Sequence, residues 1–110
     1  MSILIADDDR VTTTMLASKL KGAGYQTLVA VDAMQTLMLA QKHQLEAVLL
    51  DINMPGGSGI MALQRLKGSS KTSNVPVIVV SASEDPEMPD KVRGMGADEF
   101  LKKPVDYDAL

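Results

Sequence analysis

The chain has 110 residues, enough for one domain with a single core. Its 14 acidic and 11 basic side chains leave a net charge of -3, and 3% of residues are aromatic, so neither a basic nucleic-acid footprint nor a base-stacking surface is expected. Cysteine is absent, which excludes disulfides and thiolate metal sites; no basic-then-apolar leader and no bilayer-length apolar run occurs, so the expectation is a soluble, cytoplasmic domain with no membrane partner.

Ile3 to Ala6 is an apolar run that stops at Asp7-Asp8-Asp9, a strand followed by acids. From Arg10 the spacing turns helical. Met15, Leu16, Leu20 and Ala23 are expected on its inward face, Lys19 and Lys21 off it, and Gly22 and Gly24 mark its end. Tyr25 to Val31 supplies a second strand. Asp32 is placed to cap a second helix whose apolar positions include Met34, Leu37 and Met38. Ala47 to Leu50 reads as a third strand ending on Asp51, followed by a turn that Pro55 and the glycines after it shape. A third helix is predicted from Ser58 or Gly59, with Ile60, Leu63 and Leu66 inward, fading at Gly68-Ser69-Ser70.

Val75 to Val80 is the most strand-like run and closes at Ser81. Pro86 and Pro89 stand where a short fourth helix holding Val92 and Met95 begins, because a first turn tolerates proline and an interior does not. Glu99 to Leu101 is a fifth strand, followed by Lys102-Lys103-Pro104, and Asp106 to Leu110 reads as the first turn of a fifth helix. This alternation predicts an α/β fold, a doubly wound parallel sheet with helices on both faces. His43, the one histidine, is expected to face solvent, and the eight methionines to serve mostly as core filler. Met88 and Met95 near the fourth helix are candidates for a partner surface, although a methionine at helical spacing usually packs inward.

Parallel strands all end at one edge of the sheet, where doubly wound folds place their ligands. Strand one delivers Asp7, Asp8 and Asp9 to that lip, strand three Asp51, strand four Ser81 and strand five Lys103. Crowded carboxylates raise one another's pKa unless a cation stands among them, and a hard divalent ion with oxygen ligands answers that need. A group suited to a cation, a lysine and a hydroxyl together is a phosphoryl group. Asp51 is then either a ligand of the cation or the attacking carboxylate. Gly56-Gly57-Ser58-Gly59 lacks the lysine-hydroxyl ending of a P-loop.

Four segments, Ile3 to Asp9, Leu50 to Gly56, Val80 to Ala82 and Gly96 to Pro104, stand in an order and spacing that resemble the receiver domain of two-component response regulators. The resemblance runs over residues 1–110 and implies a five-stranded, flavodoxin-like sheet of order 2-1-3-4-5. It implies that Asp51 accepts a phosphoryl group from the phosphohistidine of a sensor histidine kinase or phosphotransfer protein, or from a small acyl phosphate. Mg²⁺, with Mn²⁺ as a second candidate, would be held by Asp8 directly, by Asp7 through water, by Asp51 and by the backbone carbonyl of Asn53. Asp9 extends the acidic lip without a role. Ser81 and Phe100 match the switch pair and Lys103 the family lysine, with the Lys103–Pro104 bond expected to be cis. Phe100 stands where many relatives carry tyrosine, so a readout through a hydroxyl is not available there. Lys102 should point away from the site, since side chains alternate along a strand. An output domain or a second copy would dock on the face made by the fourth helix and fifth strand.

Receiver domains finish on a complete fifth helix, so residues 1–110 are expected to be a fragment of a longer chain, or to have that gap covered by another chain. Two other readings compete with this one. A haloacid-dehalogenase-like phosphohydrolase needs an Asp-x-Asp-x-Thr pattern, and Val11 stands where the threonine belongs. A pseudo-receiver that binds partners without phosphorylation has no need of Asp8, Asp51, Ser81 and Lys103 together. The module is therefore expected to catalyse only its own phosphorylation and autodephosphorylation, not external turnover.

Overall fold

The five apolar runs become the strands β1 (Ser2–Ala6), β2 (Gln26–Ala30), β3 (Leu45–Asp51), β4 (Val77–Ser81) and β5 (Glu99–Lys102) of one sheet. They alternate with helices α1 (Arg10–Gly22), α2 (Ala33–Lys42), α3 (Gly59–Gly68) and α4 (Met88–Gly94). The computed structural model describes residues 1–53, 59–82 and 84–103. All neighbouring strands run parallel, in the order β2-β1-β3-β4-β5 that the resemblance implied. The register sets Leu4 between Leu28 and Val48, and Val79 between Leu50 and Phe100.

Alternation along β1 and β3 splits the core in two, as a sheet buried on both faces requires. Ile3, Ile5 and Leu49 pack with Leu16 and Leu20 of α1. Leu4, Ala6, Val48 and Leu50 lie on the opposite face, with Val77 and Val79 of β4, Leu63 and Leu66 of α3, and Val92 of α4. The helices on this second face lie close because Ala33, Ala40 and Ala62 are small and almost fully buried.

Local signals set the helix ends. Asp32 accepts the Gln35 N–H at 2.8 Å, and the Gln35 side-chain oxygen reaches back to the Val31 N–H at 3.0 Å, a reciprocal cap. Pro89 sits in the first turn of α4, which ends at Gly94 before Gly96 takes φ +105, a conformation glycine adopts freely. On the far side of the sheet from the acids, Lys67 Nζ donates to the Val75 carbonyl and to Asp98 Oδ2, both at 2.9 Å. Asp98 Oδ2 also accepts the Val77 N–H at 2.8 Å, so one carboxylate ties the end of α3 to the starts of β4 and β5. The Val77 N–H, then Lys67, hold the Asp98 carboxyl below the usual carboxylate range.

The methionine expectation is corrected. Met15, Met34 and Met38 are 47%, 63% and 51% exposed, and among the described residues no methionine is fully buried. Met61, Met88 and Met95 are half-buried against the larger core cluster. The inward stripe of α1 is Thr12, Thr13, Leu16 and Leu20, one step round the helix from Met15, and Ala23 is exposed as well. In α2 the stripe is Ala33, Thr36 and Ala40. These threonines bury without leaving a hydroxyl unpaired: Thr13 donates to the Arg10 carbonyl at 3.1 Å and Thr36 to the Asp32 carbonyl at 2.8 Å. His43 is exposed after α2. The turn residues 54–58, the Lys103–Pro104 bond and the first turn expected at Asp106 to Leu110 lie outside the described residues.

Candidate functional site

Four strands bring their C-terminal ends to one lip. Asp7 follows β1 directly and its N–H still donates to the Ala30 carbonyl at 3.0 Å, so the sheet fixes its backbone. Asp51 is the last residue of β3 and Ser81 the last of β4. Lys103 follows β5, with its N–H donating to the Ser81 carbonyl at 2.8 Å. Asp7, Asp51 and Ser81 are all buried, an environment that makes each acid's surroundings decisive.

The two buried acids are held alike. Asp7 Oδ1 accepts the N–H of Asp9 at 2.9 Å, and Asp51 Oδ1 accepts the N–H of Asn53 at 3.1 Å. Each thereby turns its second oxygen toward one cation. Lys103 Nζ lies 2.9 Å from Asp7 Oδ2 and 3.4 Å from Asp51 Oδ2. Burial raises the Asp51 pKa and the charge of Asp7 adds to the rise, while the Asn53 N–H and Lys103 oppose it. Burial pulls the Lys103 ammonium down, but the bond to Asp7 and the charges of Asp51 and Asp7 outweigh it, and the net shift is upward.

Asp8 is exposed at the mouth of the site. Oxygens of Asp7, Asp8 and Asp51 all lie within 4.8 Å of one another. Three carboxylates against one ammonium leave the lip negative, and a set of hard oxygen donors at this spacing fits a divalent cation such as Mg²⁺. Asn53 lies exposed two residues beyond Asp51. Phe100 is half-buried on β5, against the core cluster that includes Val92. Lys102 turns elsewhere: its Nζ pairs with Glu84 at 2.9 Å.

Asp9 is not part of the acid cluster. Its Oδ1 accepts the Val11 N–H at 3.0 Å and its Oδ2 the Thr12 hydroxyl at 2.9 Å, so it caps α1. The Thr12 hydroxyl is the main reason its carboxyl titrates below the ordinary range; the backbone N–H groups at the helix start add to it. An acid directly before a helical pattern, with threonine three places on, was the available signal for this role.

A model of the response regulator receiver domain matches residues 3–110. The chain belongs to this family. The receiver is 37% identical to protein PilH of Pseudomonas aeruginosa over 110 residues, covering 98% of this chain and 89% of that one. It is 34% identical to the DNA-binding dual master transcriptional regulator RpaA of Synechocystis, again over 98% of this chain but only 45% of the relative. The receiver domain of a Francisella response regulator superposes with a TM-score of 0.90 at 30% identity, covering 98% of this chain and 88% of that one. Receivers of two-component systems are phosphoryl acceptors that interact with histidine kinases. Among the described residues no helix is long and apolar enough to cross a membrane.

Proposed function

We propose that this receiver accepts a phosphoryl group on Asp51 in a Mg²⁺-dependent reaction and relays the event through a change of conformation. The observation that carries the reading is the buried Asp51 carboxylate set beside Lys103 and within 4.8 Å of the oxygens of Asp7 and Asp8. Asp8, Asp51 and the Asn53 carbonyl would hold Mg²⁺, with Asp7 assisting through water and Mn²⁺ a substitute. The bound ion would supply neutralisation of the oxygens of the transferring group.

The remaining steps belong to the chain. An Asp51 carboxylate oxygen attacks phosphorus, a new oxygen–phosphorus bond forms, and the bond to the donor's nitrogen or acyl oxygen breaks. The Asn53 N–H on Asp51 Oδ1 fixes the carboxylate plane and leaves Oδ2 as the attacking atom. Lys103 Nζ then meets the charge of the new phosphoryl oxygens, and the Ser81 hydroxyl turns toward them. Phe100 follows Ser81 inward and alters the face made by α4 and β5, where an output domain or a second copy would dock. The donor would be a sensor histidine kinase or phosphotransfer protein, in the cytoplasm. The receiver speeds its own phosphorylation and dephosphorylation and turns over no external substrate.

Incubation with acetyl phosphate and Mg²⁺ should add the mass of one phosphoryl group, removable by hydroxylamine. Asp51→Asn should abolish the gain and a chelator should suppress it. An undiminished gain in Asp51→Asn, or steady phosphate release from unrelated esters, would overturn the reading.

A further inference from the structure

We infer that Gly59, the first residue of α3, is a positioning residue for the phosphoacceptor, on the reading of Asp51 given above. Its N–H donates to the Ile52 carbonyl at 2.9 Å, tying the start of α3 to the residue that follows β3. Its α-carbon then faces the backbone of the acceptor itself. A Cβ at this position would lie 2.5 Å from the Asp51 carbonyl oxygen, 2.5 Å from the Ile52 α-carbon and 2.7 Å from the Ile52 carbonyl oxygen. Side chains do not approach backbone atoms that closely, so the substitution must move one partner.

Which partner moves follows from the packing on either side. Behind Gly59, α3 is anchored by Ala62, Leu63 and Leu66, exposed by 0%, 0% and 2%. Behind Asp51, β3 is held by Val48 and Leu50 and by pairing on both sides. Interiors packed to this density transmit strain. Here the atoms in the way belong to Asp51, the last residue of β3, and to Ile52, the first beyond it, so the shift that relieves the clash acts on the peptides that join the acceptor to Asn53, whose carbonyl is assigned to the cation. Glycine at 59 is a requirement of the site's geometry. No left-handed backbone demands it, since among the described residues the glycines with positive φ are Gly24 and Gly96.

The test compares Gly59→Ala with Gly68→Ala, the latter at the other end of the same helix with nothing within 4 Å of the added Cβ. Both chains are melted, then phosphorylated with acetyl phosphate over a Mg²⁺ series well below their melting temperatures. Displacement of reacting groups by an ångström slows reactions by up to about a hundredfold. Gly59→Ala should melt cooperatively yet phosphorylate at least roughly tenfold more slowly at saturating Mg²⁺, with a raised Mg²⁺ requirement; Gly68→Ala should match the parent in both. A parent-like rate and Mg²⁺ requirement in Gly59→Ala would overturn the inference. So would a Gly59→Ala chain without a cooperative melt, because the glycine would then serve the fold and not the site. If the parent chain takes up no phosphoryl group, the reading of Asp51 fails first and this inference with it.

Discussion

Lys103 stands closer to Asp7 than to Asp51, 2.9 Å against 3.4 Å, although Asp51 is the residue whose chemistry it would serve. Asp7 is the more deeply buried partner, with 4% of its side chain exposed, and Lys103 keeps 20%. The lysine is thus the counter-ion of an acid pair. Lys103→Met leaves both carboxylates without it. Breaking a fully buried pair destabilises by about 3–5 kcal/mol, and the partial exposure of Lys103 reduces the expected loss to roughly 2 kcal/mol. Thermal melts should show that loss in chelator and recover much of it in millimolar Mg²⁺, since a ligand that binds only the native state stabilises it. Equal losses with and without Mg²⁺ would contradict this account.

Asp51→Asn should do more than remove the acceptor. The folded-state pKa of Asp51 is raised, so the native state binds protons more tightly there than the unfolded chain does. The sign follows: this group's contribution to stability is present at low pH and is lost as pH rises from about 3.9 through the raised folded value. At neutral pH without Mg²⁺ the amide removes that penalty, and the variant should melt higher than the parent. A melting point below the parent's under those conditions would show that the carboxylate's bonds to Lys103 and Asn53 outweigh its burial.

Asp98 titrates with the opposite sign. Its folded pKa is lowered by the Val77 N–H and by Lys67, so its contribution is present above about 3.9 and is lost as pH falls through the lower folded value. Stability measured by denaturant between pH 5 and the acid limit, taken as roughly pH 2, should fall less steeply for Asp98→Asn than for the parent. An unchanged slope would mean that Asp98 titrates alike in both states.

Leu63 and Met34 provide a contrast of apolar side chains on adjacent helices. Leu63 is 0% exposed, and Leu63→Ala should destabilise by about 3 kcal/mol through the cavity it leaves. Met34 is 63% exposed, and Met34→Gln should change stability by no more than about 0.5 kcal/mol. A large loss at Met34 in urea melts would restore it to the core.

The strands and the lip were legible because the chain punctuates them. Apolar runs at residues 3–6, 47–50 and 75–80 stop on acids or a serine, and parallel strands must bring those stops to one edge. Leu16 and Leu20 of α1, Leu63 and Leu66 of α3 and Val92 of α4 bury as their spacing implies, whereas the rest of the inward faces of α1 and α2 was not legible, for a physical reason. Periodicity weighs methionine above threonine, yet Thr12, Thr13 and Thr36 find local oxygen partners and bury with little loss, while Met15, Met34 and Met38 meet solvent. Asp9 looked like one more acid on the lip, and only the position of the first helical turn separates a cap from a ligand. The pairing of Lys67 with Asp98 joins residues 31 apart and has no local pattern to announce it.

The bond from Lys103 to Asp7 spans 96 residues of sequence. Closing a loop of that length costs entropy that the contact must offset. Lys103 follows β5, and its N–H donates to the Ser81 carbonyl, so the ammonium stands at the lip only where β5 lies beside β4. A sheet without β5 would set Asp7 and Asp51 side by side with no such counter-charge. The charge balance of the lip is in this sense a certificate of a finished sheet.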